Sequence, residues 1–454
     1  MKLALVYPRF KYQSGAPPIG LLQIAASIRQ QNKASLDFID TTYEQEISTF
    51  RERFRIGAYD LVGLYVMTAM LDDVALAVRE IKSVSPNTKI LLGGPHASVM
   101  AEHAMTIEGV DAVCFGEGEA TIVELIDAEL DFASIAGLLH RVEGQLIRNK
   151  ARMAVASLDA LPFPAYDLLD DHYFDQCSAL DIVQPGLRTT SILVSRGCPY
   201  SCSFCQPTLS TIFGKRIRRL SPKRIVELIK WLKADFAIEA FSFVDDTLLF
   251  ARSWVEELCH LLIEAQTGLI FSCNTRANLI EPVLLAQLYE AGLRKVYLGV
   301  ESTSQRILDE VYQKGTTIAE IKSAVRAMKM QGICILGYFM MGAPGETVKE
   351  IRQTITLATE LDIDEATFSI TTPLPGTYLF DRTEDDIEVD LASFDYYHTP
   401  VYRQGVTVPS SKLVWLKREA FLRFYLSPKR LYQTLASFMS LRGMRKNLLR
   451  LQRF

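Results

Sequence analysis

Residues 195–205 read Ser195-Arg196-Gly197-Cys198-Pro199-Tyr200-Ser201-Cys202-Ser203-Phe204-Cys205, and they follow the apolar run Ile192-Leu193-Val194. A short apolar run that ends at a glycine turn is typical of a buried strand. Three cysteines in eight residues, at CxxxCxxC spacing, are hard to explain as packing, although single buried cysteines are common core residues. The stretch therefore predicts a strand that delivers a metal-binding loop.

The three thiols favour an iron-sulfur cluster in which one iron is left open. Such clusters are held by cysteine thiolates, normally four, so three thiolates leave one iron of a 4Fe-4S cube without a protein ligand. An open metal position is where a small molecule binds and reacts, as at catalytic zinc. The alternative is a zinc site of three cysteines completed by a histidine, but the nearest histidines, His172 and His260, are far away in the sequence.

The cysteine spacing, with Phe204 directly before the last cysteine, resembles that of the radical S-adenosylmethionine (SAM) enzymes. In that family the open iron chelates the amino and carboxylate groups of SAM. One-electron reduction then cleaves SAM to methionine and a 5′-deoxyadenosyl radical. The resemblance implies that Cys198, Cys202 and Cys205 ligate a 4Fe-4S cluster and that Phe204 lies against the adenine of SAM.

The segment from Thr189 to about Pro375 predicts a βα barrel, because strands and helices alternate and polar motifs recur where strands end. The carboxyl ends of the strands form the face of a βα barrel that carries the active site. Six strand–helix units match the partial six-stranded barrel of the radical SAM core, which we assign to residues 186–395. The predicted strands are Ser191–Val194, Phe241–Val244, Ile270–Cys273, Lys295–Val300, Ile333–Phe339 and Ala366–Ile370.

Polar residues that follow these strands receive cofactor roles from the resemblance. Asp245 and Asp246 stand where the family contacts the methionine amino group of SAM, a cation that carboxylates suit. Arg276 is the expected partner of the methionine carboxylate, and Glu301 and Ser302 are candidates for ribose and carboxylate contacts. The alternative for each charged residue is a surface ion pair that contributes little. Two further residues of the barrel, Tyr338 and Thr372, are candidates for substrate contact.

Residues 1–135 predict a doubly wound parallel sheet, because short β-branched runs alternate with amphipathic helical patterns. Ligands of such sheets bind beyond the carboxyl ends of the strands. The predicted strands are Leu3–Tyr7, Ser35–Ile39, Leu61–Tyr65, Lys89–Leu92 and Ala112–Phe115. The predicted helices are Ile19–Gln31, Tyr43–Arg55, Asp72–Ser85 and Glu117–Glu129.

Glycine turns at the strand ends allow the backbone to approach a large ligand closely. The combination of Pro17-Pro18-Ile19-Gly20, Gly93-Gly94-Pro95-His96 and Phe115-Gly116-Glu117-Gly118-Glu119 resembles the cobalamin-binding domain of one branch of the radical SAM family. The resemblance implies cobalamin contacts at Gly93, Gly94, Gly116 and Glu117. No DxHxxG motif is present, so no histidine is evident as a lower cobalt ligand, and a domain that no longer binds cobalamin stays open.

The remaining segments connect or extend these two units. Residues 136–185 contain prolines and a predicted hairpin from Leu138 to Arg148, and we expect them to form a linker. Residues 396–454 are expected to form a basic helical C-terminal region. From Arg403 to Phe454 twelve Lys and Arg face one acid, so about +11 of charge lies there and about −15 in the rest of this chain of net charge −4. Such a surface is either solvated or attracts an anionic substrate, a partner or a membrane surface.

Composition places the chain among ordinary cytoplasmic proteins. Hydrophobic residues make up 49% of it and charged residues 22%, as in soluble globular domains. No run approaches the roughly 20 apolar residues that span a bilayer, and the N-terminal apolar run is too short for a signal peptide. Outside the loop, the cysteines are scattered rather than arranged as a disulfide framework: Cys114, Cys177, Cys259, Cys273 and Cys334.

These patterns favour a cobalamin-dependent radical SAM enzyme that methylates an unactivated carbon of a small molecule. The first alternative is radical dehydration, deoxygenation, rearrangement or ring formation without bound cobalamin. A second is a non-enzymatic iron-sulfur or cobalamin sensor. The expected partners are a small-molecule substrate and an electron donor such as flavodoxin or ferredoxin, and we expect no nucleic acid and no transmembrane segment.

Overall fold

The structure, a computed structural model, describes residues 1–11, 16–175, 179–214, 216–394 and 400–431. Within these ranges seven strands form a first sheet in the order β2-β1-β3-β4-β5-β6-β7, and β1 to β5 are parallel. The reversal of strand order between β1 and β3 is the point at which doubly wound sheets bind ligands. The strands are Lys2–Tyr7, Ser35–Asp40, Leu61–Tyr65, Lys89–Gly93, Ala112–Cys114, Leu138–Val142 and Gln145–Arg148, numbered β1 to β7 in chain order.

Helices cover both faces of this sheet, because their apolar positions recur at helical spacing and need a surface to pack against. In α3, for example, Val74, Ala77, Val78 and Ile81 are buried in the core that the parallel strands share. The first-sheet helices are Ile19–Gln31, Ile47–Gly57, Leu71–Val84, Pro95–Val99, Ala101–Ala104 and Glu119–Asp127, numbered α1 to α6.

The hairpin that the sequence predicts within 136–185 is the antiparallel extension of the first sheet. Strand β6 pairs antiparallel with both β5 and β7. The turn residues Glu143 and Gly144 have φ angles of 48° and 85°, which is the left-handed pair that a two-residue hairpin turn prefers. Residues 149–188, which include most of the predicted linker, then lead to the second sheet.

The second sheet is the half-barrel. Its order, for the described part of the chain, is β15-β14-β13-β12-β11-β8, and every neighbouring pair is parallel. A small antiparallel pair, β9 with β10, lies beside the loop of three cysteines. The strands are Thr189–Ile192, Ser195–Arg196, Arg218–Arg219, Ala240–Phe243, Ile270–Arg276, Leu293–Glu301, Cys334–Met341 and Glu365–Ile370, numbered β8 to β15. The predicted fold class is thus confirmed.

Outer helices pack on this sheet around a second core, which includes Phe241, Phe271, Val296, Phe339 and Phe368. The helices from the linker onward are His172–Asp175, Gln206–Phe213, Pro222–Phe236, Arg252–Ala265, Pro282–Glu290, Ile318–Met330, Val348–Glu360, Tyr378–Thr383 and Ser410–Tyr425, numbered α7 to α15.

The described part of the basic C-terminal region is packed rather than wholly solvated. Helix α15 buries Leu413, Leu416, Phe421 and Phe424 against β15 and α13. Arg430 is buried as well. Residues 396–399 and 432–454 of the predicted region lie outside the described residues.

Across the described ranges no helix combines the length and the apolar composition that crossing a bilayer requires.

Candidate active site

The three cysteines lie on the loop between β9 and α8, at the carboxyl edge of the half-barrel. Gly197 opens the loop with a φ angle of 92°, which favours glycine. Cys198 and Cys202 are buried and Cys205 is partly exposed. The Sγ of Cys198 lies 3.5 Å from the hydroxyl of Thr247, in the loop that follows β11.

Loss of water raises the pKa of two of these thiols. Burial is the largest cause of a raised pKa at both Cys198 and Cys205, and the carboxylate of Asp246 and the neighbouring cysteines raise it further. The mutual influence places the thiols and Asp246 in one electrostatic environment. A cationic metal centre reverses this effect, because coordination deprotonates a thiol.

Arg276, at the end of β12, directs its guanidinium at the cysteine loop. Its Nη1 donates to the Sγ of Cys202 at 3.0 Å, and its Nη2 donates to the carbonyl of Lys314. The guanidinium also lies 3.7 Å from the centre of the Tyr200 ring. The sequence predicts that Arg276 contacts the carboxylate of SAM. In the structure Arg276 lies at the cysteine loop and contacts the sulfur of Cys202.

The two consecutive aspartates after β11 have different surroundings. Asp245 is fully buried, and its carboxylate accepts hydrogen bonds from the Val194 amide at 3.1 Å and the Ser195 hydroxyl at 2.5 Å. Burial raises the pKa of Asp245 to about 7 against these hydrogen bonds. Asp246 reaches the surface of the barrel mouth, and partial loss of water raises its pKa to about 6. Asp246 is therefore the aspartate that faces the cysteines, while Asp245 ties β11 to the strand before them.

Glu301 and Lys314 form a buried ion pair at the same edge, with Lys314 Nζ 2.8 Å from Glu301 Oε1. Glu301 ends β13 in the left-handed region, at a φ angle of 65°. Ser302, fully buried, accepts a hydrogen bond from the Ser304 amide at 3.1 Å. Lys314 is missing from the sequence prediction. The one sequence feature that marks Lys314 is its position directly before Gly315, in the connection that follows β13.

Phe204 completes this side of the mouth. Its ring contacts Tyr312 edge to face at 5.3 Å, and Lys314 Nζ lies 6.0 Å from its centre. Tyr312 is fully buried, and its hydroxyl lies 2.6 Å from the hydroxyl of Thr371, after β15. Residues from four different strand ends thus converge around the cysteine loop.

The glycine turns of the first sheet stand at its carboxyl edge, as predicted. Gly94 has a φ angle of 119°, and a Cβ there would lie 2.8 Å from the carbonyl oxygen of Val66, so the turn requires glycine. Gly116 has a φ angle of 82°, and a Cβ there would meet open space. Gly93 likewise has no atom within 4 Å of a Cβ position. The backbone at Gly93 and Gly116 is therefore accessible to a large ligand.

His96 is buried in a chain of hydrogen bonds. Its Nδ1 lies 3.0 Å from the Thr68 hydroxyl and its Nε2 lies 3.0 Å from Nδ1 of His103. Burial, with a contribution from His103, lowers the pKa of His96 to about 4. Both ring nitrogens are engaged, which agrees with the lack of a DxHxxG motif.

The side chain of Glu117 belongs to an ion network between the two sheets. Its carboxylate lies 2.9 Å from Arg196 Nη1 and 2.7 Å from Arg218 Nη2, and it accepts from the Val155 amide at 2.6 Å. Glu119 pairs with Arg196 as well. Burial raises the pKa of Glu117, but the two arginines outweigh it and hold the value below the ordinary one. The carboxylate is thus committed to protein partners, and a cofactor contact at Glu117 would come from its backbone.

The carboxyl edges of the two sheets face one another. Helix α4, which follows β4, packs against α8, which follows the cysteine loop. A Cβ on Gly376, after β15, would lie 2.8 Å from Cγ1 of Val99. The loop residues 68–70 also contact residues 391–393. The glycine turns and the cysteine loop therefore lie along one interface.

Known proteins share both halves of this arrangement. The Radical SAM superfamily model matches residues 192–358, and the B12 binding domain model matches residues 9–126. An uncharacterized methyltransferase of Pyrococcus horikoshii is 31% identical over 94% of this chain and 93% of its own length. The anaerobic magnesium-protoporphyrin IX monomethyl ester cyclase of Rubrivivax gelatinosus is 26% identical, over 89% and 74% respectively.

A solved structure has the same fold. The radical SAM methyltransferase TsrM of Kitasatospora setae, with cobalamin and a 4Fe-4S cluster bound, superposes with a TM-score of 0.71 at 19% identity, covering 85% of this chain and 78% of TsrM. Fold and sequence together define a two-cofactor radical enzyme class. The chain belongs to the radical SAM superfamily and carries an N-terminal B12-binding domain. The cofactors of this class are a 4Fe-4S cluster, SAM and cobalamin.

The donor set of the loop fits a cluster. Cys198, Cys202 and Cys205 lie on one loop, and each thiolate of an iron-sulfur cube binds a different iron. Three thiolates would leave the fourth iron of a 4Fe-4S cube open.

Proposed function

We propose that this protein is a cobalamin-dependent radical SAM enzyme that methylates an unactivated carbon of a small-molecule substrate. The observation that carries the proposal is the shared interface, at which the glycine turns of the B12-binding domain face the cysteine loop of the half-barrel. A methyl donor held on one side and a radical source held on the other can both reach a substrate between them. The likeness to a protein named as a methyltransferase over nearly the whole chain supports the same reaction.

Different residues of the half-barrel would bind the cluster and SAM. Cys198, Cys202 and Cys205 would ligate three irons. Asp246 would accept hydrogen bonds from the methionine amino group. Lys314 pairs with Glu301 and lies 6.0 Å from the centre of the Phe204 ring. When bound, these cofactors and cobalamin supply a 5′-deoxyadenosyl radical and a transferable methyl group. Ser302 is buried and turned toward its own loop, so its proposed contact is through the backbone.

On the other side, the backbone at Gly93, Gly94 and Gly116 would cradle cobalamin. Cobalamin would bind there without a histidine ligand from the Gly93-Gly94-Pro95-His96 turn, because Thr68 and His103 occupy both nitrogens of His96.

The substrate would enter the barrel mouth. Tyr338 points from β14 into the interior, is 38% exposed and stacks on Tyr297 at 5.9 Å, so it offers an aromatic wall. Thr372 is buried and donates to the carbonyl of Ile370 at 3.2 Å. Of the two candidates, Tyr338 is the better placed for substrate contact.

An external donor would supply the reducing electron, and a low-potential flavodoxin or ferredoxin has the required chemistry. A reducing compartment such as the cytoplasm agrees with the cysteines, since each one in the described ranges is a free thiol.

The proposal is tested by anaerobic reconstitution of the full chain with iron and sulfide, with and without cobalamin. We expect about four irons per chain, tightly bound cobalamin and reductive cleavage of SAM. Methylation requires S-adenosylhomocysteine and 5′-deoxyadenosine to form together once a substrate is supplied. The matched control is Cys202→Ala, which should lose SAM cleavage while retaining cobalamin.

Ring formation or another radical reaction without methyl transfer is the second candidate, and the likeness to the Rubrivivax gelatinosus cyclase favours it. SAM cleavage by a preparation that binds no cobalamin would support this reaction over methylation. A protein that binds its cofactors but never cleaves SAM under reduction would instead be a sensor.

A further inference from the structure

We propose that Arg276 sets the reduction potential of the cluster through the thiolate of Cys202, an inference that rests on the proposed binding of a 4Fe-4S cluster. The sequence gives Arg276 a different task, contact with SAM. The structure adds a direct contact between its guanidinium and the sulfur of Cys202.

The contact is short and buried. Arg276 Nη1 lies 3.0 Å from Cys202 Sγ, within hydrogen-bond distance for sulfur. Arg276 is 6% exposed and Cys202 is 7% exposed, so little water screens the positive charge. Charges interact more strongly in such surroundings than in water, because the effective dielectric constant is lower.

The guanidinium is held in one orientation by contacts on its other sides. Its Nη2 donates to the Lys314 carbonyl and its Nε donates to Asn278 Oδ1 at 3.3 Å. The Tyr200 ring lies 3.7 Å from it, which restricts movement out of the plane. Because the donor is fixed in advance, the sulfur contact needs no rearrangement when an electron arrives.

The three thiols differ in their polar contacts, which singles out Cys202. Cys198 lies near the neutral hydroxyl of Thr247. At Cys205 the electrostatic neighbours are of both signs, with Asp246 raising and Lys314 lowering its thiol pKa. Cys202 accepts a charge-assisted hydrogen bond from Arg276, and such bonds are about twice as strong as neutral ones.

The direction of the effect follows from the charge balance. Reduction adds one electron from the external donor to the cluster, taking its core from the 2+ to the 1+ state, and no bond forms or breaks. A fixed cation with an N–H directed at sulfur stabilises the more negative, reduced state more than the oxidised state. Arg276 therefore raises the potential and makes the cluster easier to reduce.

The test is an EPR-monitored redox titration of the reconstituted full chain, without SAM, so that any contact between Arg276 and SAM does not contribute. Iron and sulfide are assayed first. In Arg276→Gln, at the potential that half-reduces the wild-type cluster, we expect the ratio of reduced to oxidised cluster to fall at least tenfold. For one electron this is a shift of about 59 mV to more negative potential.

Two further variants distinguish the effect of the Arg276–Cys202 hydrogen bond on the potential from the effect of positive charge alone. Arg276→Lys keeps the charge and loses the planar fork, so we expect a smaller shift than in Arg276→Gln. Arg219→Gln removes a cation that lies over Phe250 and Trp254, 5.7 Å from each ring centre. We expect its ratio of reduced to oxidised cluster to stay within threefold of the wild type.

The possible outcomes distinguish a failure of the proposed role of Arg276 from a failure of the proposed function. A wild-type protein without a cluster contradicts both. A wild-type cluster with an unchanged potential in Arg276→Gln overturns only the role of Arg276. Loss of the cluster from both Arg276 variants also overturns it, because Arg276 would then be required for assembly.

Discussion

A side chain at position 299 would collide with a buried ion pair. A Cβ there would lie 2.6 Å from Glu301 Oε1 and 2.7 Å from Lys314 Nζ. In Gly299→Ala the ion pair beside Phe204 must shift, because the Cβ would overlap both of its charged ends. We expect SAM to bind about tenfold more weakly, about 1.4 kcal/mol, as measured by equilibrium dialysis of the reconstituted protein.

The matched control is Gly20→Ala in helix α1, where a Cβ would meet no atom within 4 Å. We expect it to bind SAM like the wild type. Equal SAM affinity in Gly299→Ala and the wild type would show that the Glu301–Lys314 pair does not contact SAM.

Glu346 gives the stability of the protein a pH dependence of defined sign. Its Oε2 accepts from the amides of Gly342 at 2.6 Å and Ala343 at 3.1 Å, while no described group pairs with its Oε1. Burial raises its pKa to about 7. The folded state therefore binds a proton more tightly than the unfolded state, and stability falls as pH rises from about 4.5 to 7.

Glu346→Gln removes this titration and keeps the shape of the side chain. We expect the variant to gain stability over the wild type by an amount that grows by about 2 kcal/mol between pH 5.5 and pH 8, at 1.36 kcal/mol for each pH unit in the affected window. Denaturant unfolding at the two pH values measures it. A difference that is constant with pH would mean that Glu346 is ionised in both states.

At the scale of single residues, the sequence predicts the metal-binding cysteines. It does not predict contacts between side chains that are far apart in the sequence. The cysteine spacing identifies the loop, because three cysteines within eight residues lie close together in any fold. Arg276 and Cys202 are 74 positions apart, and no local pattern links them. Lys314 is missed for the same reason, since its partner Glu301 lies on the far side of a helical turn.

At the scale of elements, strands of the half-barrel are predicted to within a few residues because each is an apolar run bounded by polar motifs. Helix α2 is the clearest difference. It begins at Ile47 rather than near Tyr43. Tyr43 stacks on His172 at 5.1 Å and contacts Tyr173 edge to face at 5.0 Å. Contacts with the linker thus override the local helical pattern.

Arg430 links the C-terminal region to helix α13. It donates to the carbonyls of Thr359 at 3.1 Å, Leu361 at 2.7 Å and Ile363 at 2.9 Å, and it is 4% exposed. Carbonyls at the end of a helix have no partner within the helix, and a cation there also opposes the negative end of the helix dipole.

In Arg430→Met these carbonyls lose their donor inside the protein. We expect unfolding to become easier by about 2–4 kcal/mol, as measured by denaturant titration. Arg423→Met is the control, because Arg423 is 45% exposed and lies 3.5 Å from Glu419; its effect should stay below about 1 kcal/mol. Equal effects of the two substitutions would contradict the capping role.

At the scale of the whole molecule, the Glu117 network is a buried ion-pair link between the B12-binding domain and the half-barrel. Glu117 is 7% exposed and Arg218 is 8% exposed. Removing one member of a buried ion pair is strongly destabilising, because the other charge is left without a partner.

Glu117→Gln should therefore lower the free energy of unfolding by about 3–5 kcal/mol and speed proteolysis in linker residues 149–188. Glu124, whose side chain is 49% exposed and pairs with Arg152, provides the control Glu124→Gln, whose effect should be below about 1 kcal/mol. The double variant Glu117→Gln, Arg218→Met should recover part of the loss. No recovery would show that the pairing of these charges is not what joins the two units.

Arg196 stands two residues before the first cysteine, and acids of the other domain, Glu117 and Glu119, hold its side chain. A chimera that fuses this half-barrel to a foreign N-terminal domain would deprive Arg196 and Arg218 of those acids. We therefore expect a functional chimera to need matching residues on both sides of this interface. A foreign N-terminal domain should carry the Gly116-Glu117-Gly118-Glu119 segment of this protein.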